Sequence, residues 1–261
     1  MASAAEPSGA PVRHMRVMNK RPFAVVFSIA VSVLLLLFGV AGPSVAGTPG
    51  WSVSKTPLSG SILSQFSGVS CPATSTCFAV GDQQDKGAGP IQSLVERWDG
   101  THWSIVSSAN APGANYTNLS GITCLSKTSC VAVGAWEGLT SHALIERWNG
   151  RRWSVTPGPS LNPNEESWLF GVSCPGPSTC FAVGTVGDGT LIEHWDGTHW
   201  SATTDTPKAG QHEDLNDVSC PSPTSCVAVG NIFQGQPFVQ RVLVEHWNGK
   251  RWTNMTGTQN P

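Results

Sequence analysis

The chain has 261 residues, with 15 Lys and Arg against 17 Asp and Glu and a formal net charge of -2. Without a basic excess there is nothing to neutralise phosphates, so nucleic-acid binding is excluded as an expectation. A hydrophobic share of 39% argues against a disordered chain, and 28 Gly with 19 Pro are too many turn formers for a helical bundle.

The chain opens with an address. Arg13, Arg16, Lys20 and Arg21 precede an apolar run over 22–42, followed by the small residues Ser44-Val45-Ala46. This order of basic, apolar and small residues predicts an export signal over 1–46, cleaved before Gly47. The alternative is an uncleaved membrane anchor over 22–42, since about 20 apolar residues span a bilayer. Either way the remainder is exported: secreted, or held at the outer face of the cytoplasmic membrane, with basic residues inside. The membrane is expected to be met only through this segment. Cleavage leaves 11 basic against 16 acidic residues in 47–261.

Next comes Trp51-Ser-Val-Ser54, read as an extra strand over 51–54, and then four repeats of about 55–106, 107–156, 157–203 and 204–255. Each opens on a block such as Gly68-Val-Ser-Cys71…Cys77-Phe-Ala-Val-Gly81, predicting a first and a second strand. Each closes on a block such as Leu94-Val-Glu-Arg-Trp-Asp-Gly-Thr-His-Trp-Ser104, predicting a third and a fourth. The first cysteines recur after 53, 50 and 46 residues, the length of a four-stranded propeller blade. Asp/Asn-Gly between the third and fourth strands predicts a two-residue type I′ hairpin. On that register Trp98 faces Thr101, Arg97 faces His102 and Glu96 faces Trp103. The expected fold is therefore all-β: a β-propeller of four-stranded antiparallel blades, about four of them. A closed four-bladed ring is favoured over an arc completed by a second copy, so the chain is a monomer or a homodimer.

The repeat resembles a family of secreted actinobacterial proteins built from Ser-Cys…Cys-x-Ala-Val-Gly…Glu-His-Trp-Asn-Gly-x-x-Trp units, similar to kelch-type or sialidase-type propellers. The resemblance covers about 51–255. The chain lacks the paired glycines of kelch blades and the Ser-x-Asp-x-Gly-x-x-Trp box of sialidase blades, so no ligand carries over from either.

Eight cysteines at constant spacing predict one local disulfide per repeat: Cys71–Cys77, Cys124–Cys130, Cys174–Cys180 and Cys220–Cys226. C-x5-C is a poor zinc spacing, and neither metal nor cofactor is expected. Glu96, Glu146, Glu193 and Glu245 recur once per repeat, which argues for structure over catalysis. They are expected to meet Arg97, Arg147, His194 and His246 of neighbouring blades in charge-assisted contacts.

Function is expected in what does not repeat, because variable loops on a rigid scaffold carry recognition. Tyr116, Trp136, Glu137, His142, Trp168 and Phe233 are the candidate ligand-binding residues, with Phe238 beside the last. Glu165 and Glu166 share a link with Trp168, and His212, Glu213 and Asp214 lie in the next link. Exposed aromatics beside polar groups suit a glycan or a protein segment. The expected function is a non-enzymatic extracellular binding module. The alternatives are a structural surface protein and a glycan hydrolase or lyase using Glu137, Glu166 or Glu213.

Overall fold

The computed structural model describes residues 52–57, 60–86, 89–205, 207–235 and 239–255. The expected signal or anchor, Trp51 and Phe238 lie outside the described residues. Ser52, Val53 and Ser54 belong to no strand, so the described part of the extra strand is not formed. Among the described residues no helix is long and apolar enough to cross a membrane.

Among the described residues sixteen strands form four antiparallel units. The first holds β1 (Leu63–Ala73), β2 (Thr76–Gln84), β3 (Ile91–Trp98) and β4 (Trp103–Ile105). The second holds β5 (Tyr116–Ser126), β6 (Ser129–Glu137), β7 (Ser141–Trp148) and β8 (Trp153–Val155). The third holds β9 (Ser167–Gly176), β10 (Thr179–Val186), β11 (Gly189–Trp195) and β12 (Trp200–Thr204). The fourth holds β13 (Gln211–Ser222), β14 (Ser225–Gln234), β15 (Val239–Trp247) and β16 (Trp252–Asn254). Within a unit each strand pairs with the next in sequence; one parallel bridge, Ile91 to Tyr116, joins the first two units into one sheet.

All four local disulfides are present. The five residues between each pair of cysteines do not form one open turn. The first two strands run past them, and in the second unit Cys124 lies directly opposite Cys130.

The third-to-fourth-strand hairpin departs from the expected register. Trp98 faces Trp103, Arg97 faces Ser104 and Glu96 faces Ile105. The loop is thus four residues, 99–102, and its cause is the acid at its start. Asp99 Oδ1 accepts from the Thr101 and His102 amides at 2.7 and 2.8 Å. Asn149, Asp196 and Asn248 accept the same pair of bonds in the other units. Only the glycine of each Asp/Asn-Gly pair takes a positive φ, +105° at Gly100, whereas a type I′ turn needs two. The Asp99 and Asp196 carboxyls are held down at about 2, first by these amides.

The units stack face to face through one repeated contact. Phe78, Val80 and Val95 pack against Trp148 and Trp153 of the second unit. Val131, Val133 and Ile145 pack against Trp195 and Trp200 of the third. Phe181, Val183 and Ile192 pack against the fourth unit, where Trp247 and Trp252 lie 5.3 and 5.4 Å from Phe181. Period-two alternation puts the Phe/Val positions on one face of a sheet and the Trp pair on the other, so each unit offers one half of the contact on each side. In the second, third and fourth units the first Trp of the pair is further fixed by its indole N–H, which donates to a carbonyl of its own first hairpin turn: Lys127 O, Pro177 O and Pro223 O.

The first strands pack in series, β1 on β5, β5 on β9 and β9 on β13. They approach so closely that a Cβ at Gly121 would lie 2.7 Å from the Phe170 carbonyl oxygen, and one at Gly171 2.8 Å from the Asp217 Cα. That is the reason for the glycine before Val-Ser-Cys. The expected closed ring is not formed. On the Trp-bearing face of the first unit Phe66 and Val69 are exposed although Ala79 and Glu96 beside them are buried, and on the Val-bearing face of the fourth Val227, Val229 and Val242 are exposed. The stack is an open series of four units.

Candidate functional site

The variable connections emerge at one end of the strands, opposite the disulfides and the Asp/Asn-Gly turns. Every sequence-predicted ligand-binding residue sits at that end, on the strand termini and not in the loops that the sequence suggested, and Tyr116 faces Glu137 across the β5–β6 pair. The Tyr116 and Trp168 rings lie 6.1 Å apart across the second and third units. Trp136 lies 4.7 Å from its cross-strand neighbour His142, and Glu137 is exposed beside them. The His142 Nε2 bonds Thr140 Oγ1, which donates to the Pro163 carbonyl of the next link. Trp136 packs on the core between the first two units, so it anchors as well as presents. Phe233 lies 5.9 Å from His212, whose Nδ1 is 3.6 Å from the Asp188 carboxylate. Burial first, and then the charges of Asp82 and Glu137, push the Tyr116 phenol up.

Between the third and fourth units lies a cleft of about 410 Å³. Glu165, Asp188, Asp205 and Lys208 line it from three different connections. A second hollow of about 370 Å³ shares Glu165, Val186 and Asp205 and extends along the link at 160–162. Glu165 is held by Asn162 Nδ2, which donates to its Oε1 at 3.0 Å. The turn Gly187-Asp188 is two residues long, against eleven in the link before it and six in the link after it. The carboxylates of Glu137, Glu166 and Glu213 are not brought together in this cleft.

Close to the cleft is a buried acidic field. Glu213 and Glu245 are each only 8% exposed. Burial raises the Glu213 carboxyl, the charge of Asp205 raises it further, and Lys208 opposes both. Burial, then Asp205 and Glu213, push Glu245 up to about 7. Among the described residues no group of three His, Cys, Asp or Glu is arranged to hold a metal ion.

Among the described residues no repeated glutamate is bonded to an Arg or His side chain. An ion pair joins His212 and Asp188, neither of them a repeat position. The Glu146 carboxylate instead accepts from Ser108 Oγ at 2.8 Å and from the Ala109 amide at 3.2 Å, both in the link arriving from the first unit. At the equivalent places over Glu193 stand Gly158 and Pro159, which offer neither donor. The Glu193 Oε2 has no hydrogen-bond partner, and burial pushes the carboxyl up to about 8. Glu96 Oε2 is also without a partner, and burial raises that carboxyl too. The Arg and His positions meet aromatics. The Arg147 guanidinium lies 4.5 Å over the Trp195 ring of the next unit. His194 stacks on Phe181 at 4.6 Å and reaches Trp247 of the next unit at 6.3 Å. Arg97 lies 5.8 Å over Phe78. The expected charge pairing fails because the glutamate, one residue further from the turn, is roofed by the incoming link, while the Arg or His side chain reaches the Trp pair.

The sequence pointed to this end and its aromatics but did not single out Asp188, Asp205 and Lys208. A short connection flanked by two long ones was the available signal.

No protein-family profile matches the chain, and no curated protein matches it. Solved structures do. One is a member of the GH130 family of mannoside phosphorylases, a family described as containing glycoside hydrolases that target β-1,2 mannosidic linkages in Candida mannan. It is 13% identical, over 73% of this chain and 69% of that one, with a TM-score of 0.47. The Aleuria aurantia lectin, a six-bladed β-propeller with a fucose recognition mode, is 13% identical over 74% of this chain, with a TM-score of 0.44. This chain spans only 61% of the lectin's length. YCF48 bound to a D1 peptide is 13% identical over 74% of this chain and 67% of that one, with a TM-score of 0.37.

Proposed function

We propose that the chain is an exported, propeller-type binding module that takes an extracellular glycan in the cleft between its third and fourth units. One observation carries this reading: Glu165, Asp188, Asp205 and Lys208 converge from three connections on a hollow of about 410 Å³. Carboxylates are pure acceptors and sugar hydroxyls are donors, so a carboxylate-lined cleft suits a neutral or amino sugar and repels sulfated or uronic ones. Four disulfides suit an oxidising compartment, as export requires. The test is a glycan array with the exported protein, repeated with Asp188→Asn plus Asp205→Asn. The reading expects binding to neutral or amino glycans that the double variant loses. Binding to acidic glycans alone, or undiminished binding by the variant, sinks it.

A glycan-cleaving reading would need Glu213 and Glu245, 8% exposed and outside the lining of the cleft, to reach a substrate there. It requires turnover of an array-positive oligosaccharide that Glu213→Gln abolishes. Binding without turnover leaves the module non-enzymatic.

A further inference from the structure

The three junctions inside the chain join the same two surfaces, and at the two ends of the stack apolar residues of those surfaces stay exposed. On the Val-bearing face of the fourth unit, Val229 is 45% exposed, whereas its counterparts Val80, Val133 and Val183 are fully buried. Val227 is 40% exposed, against 0–4% for Phe78, Val131 and Phe181. On the Trp-bearing face of the first unit, Phe66 is 42% exposed, while Leu119, Leu169 and Leu215 at its place in the other units are fully buried. The neighbouring Val69 is 64% exposed, against 8% and 5% for Val172 and Val218.

We propose that a second copy of this chain covers these faces, head to tail: the fourth unit of one copy seats on the first unit of the other. The junction repeats what the sequence already builds three times. Val227 and Val229 take the place of Phe181 and Val183 against the partner's Trp98 and Trp103. His246 takes the place of His194, which reaches Trp247 within the chain. The partner is therefore specified by the molecule's own contacts rather than by apolar surface alone. A contact of this kind is heterologous, so each copy uses two different faces, and the assembly closes as a ring or grows according to the rotation per copy.

The two faces can be blocked separately. Val229→Glu spoils the tail and Phe66→Glu spoils the head. Both side chains are exposed in the single chain, so folding is not at stake; near-UV circular dichroism checks this, and Val227→Asp and Val69→Asp serve as substitutes. Sedimentation velocity of the exported protein over a range of concentrations gives the stoichiometry. The expected result is self-association by wild type, weakened at least about tenfold by either variant. An equimolar mixture of the two variants, each keeping one intact face, recovers a one-to-one complex. A monomer at all concentrations overturns the proposal, because the chain's own remaining residues then cover the ends. Association lost in one variant and untouched in the other, without recovery on mixing, also overturns it, because the contact is then face to same face.

Discussion

Giving Glu193 back the donor that Glu146 enjoys should remove a pH-dependent weakness from the fold. A Cβ built on Gly158 lies 3.6 Å from Glu193 Oε2, with no closer obstacle, so the hydroxyl of Gly158→Ser can reach the carboxylate as Ser108 reaches Glu146. Gly158 does not take a positive φ, so a serine fits its backbone. The wild-type carboxyl stands at about 8 in the folded chain, against an ordinary value of 4.5. A raised carboxyl gives stability that is complete below the unfolded value and is lost as pH climbs through the folded one. Linkage puts that loss at about 4 kcal/mol between pH 5 and pH 9. A hydrogen bond to the ionised carboxylate should restore about 2 kcal/mol of it. The assay is urea denaturation at pH 5, 7 and 9 of wild type, Gly158→Ser and Glu193→Gln. The serine variant should gain most at pH 9 and little at pH 5. Glu193→Gln should flatten the same part of the profile. Parallel wild-type and serine curves at all three pH values would refute the reasoning.

Further outcomes are expected. Ser108→Gly, the reverse change, should destabilise by about 1–3 kcal/mol at pH 8, because the buried Glu146 carboxylate loses its hydroxyl donor; denaturant titration reads it. Trp153→Ala, in a sealed junction where Trp153 is 4% exposed, should cost about 3–5 kcal/mol by thermal or chemical denaturation. The matching Trp103→Ala, at the uncovered end, should cost clearly less in protein kept dilute enough to be monomeric. Replacing both Cys124 and Cys130 by Ser should cost less than about 3 kcal/mol, since the closed loop is very short. Non-reducing intact mass of the wild type should fall eight hydrogens short of the free-thiol value, the signature of four bridges.

The fold was readable because it repeats. Four copies of Cys…Cys-x-Ala-Val-Gly and Glu-x-Trp-Asp/Asn-Gly place every strand and every disulfide. The register of the second hairpin was misread because Asp-Gly signals a two-residue turn unless the acid side chain accepts backbone amides and widens the loop. The Trp pair, five residues apart, faces itself only across that wider loop. The missing donors over Glu193 were visible as Gly158-Pro159 against Ser108-Ala109, but only once the link was known to roof the next unit. Ring closure was beyond the sequence, since it depends on the rotation between units. The cleft acids were beyond it as well. Asp188 and Asp205 are 17 residues apart and adjoin one hollow only because short and long connections meet at one end of the stack.

Amide hydrogen exchange, with and without the strongest glycan ligand from the array, tests the central claim most directly. The account predicts slower exchange on binding in 160–166, 186–190 and 204–211, with the disulfide-bearing turns at the opposite end unchanged. Protection at those turns, or at the Tyr116 and Trp136 clusters with the cleft segments unchanged, would contradict it.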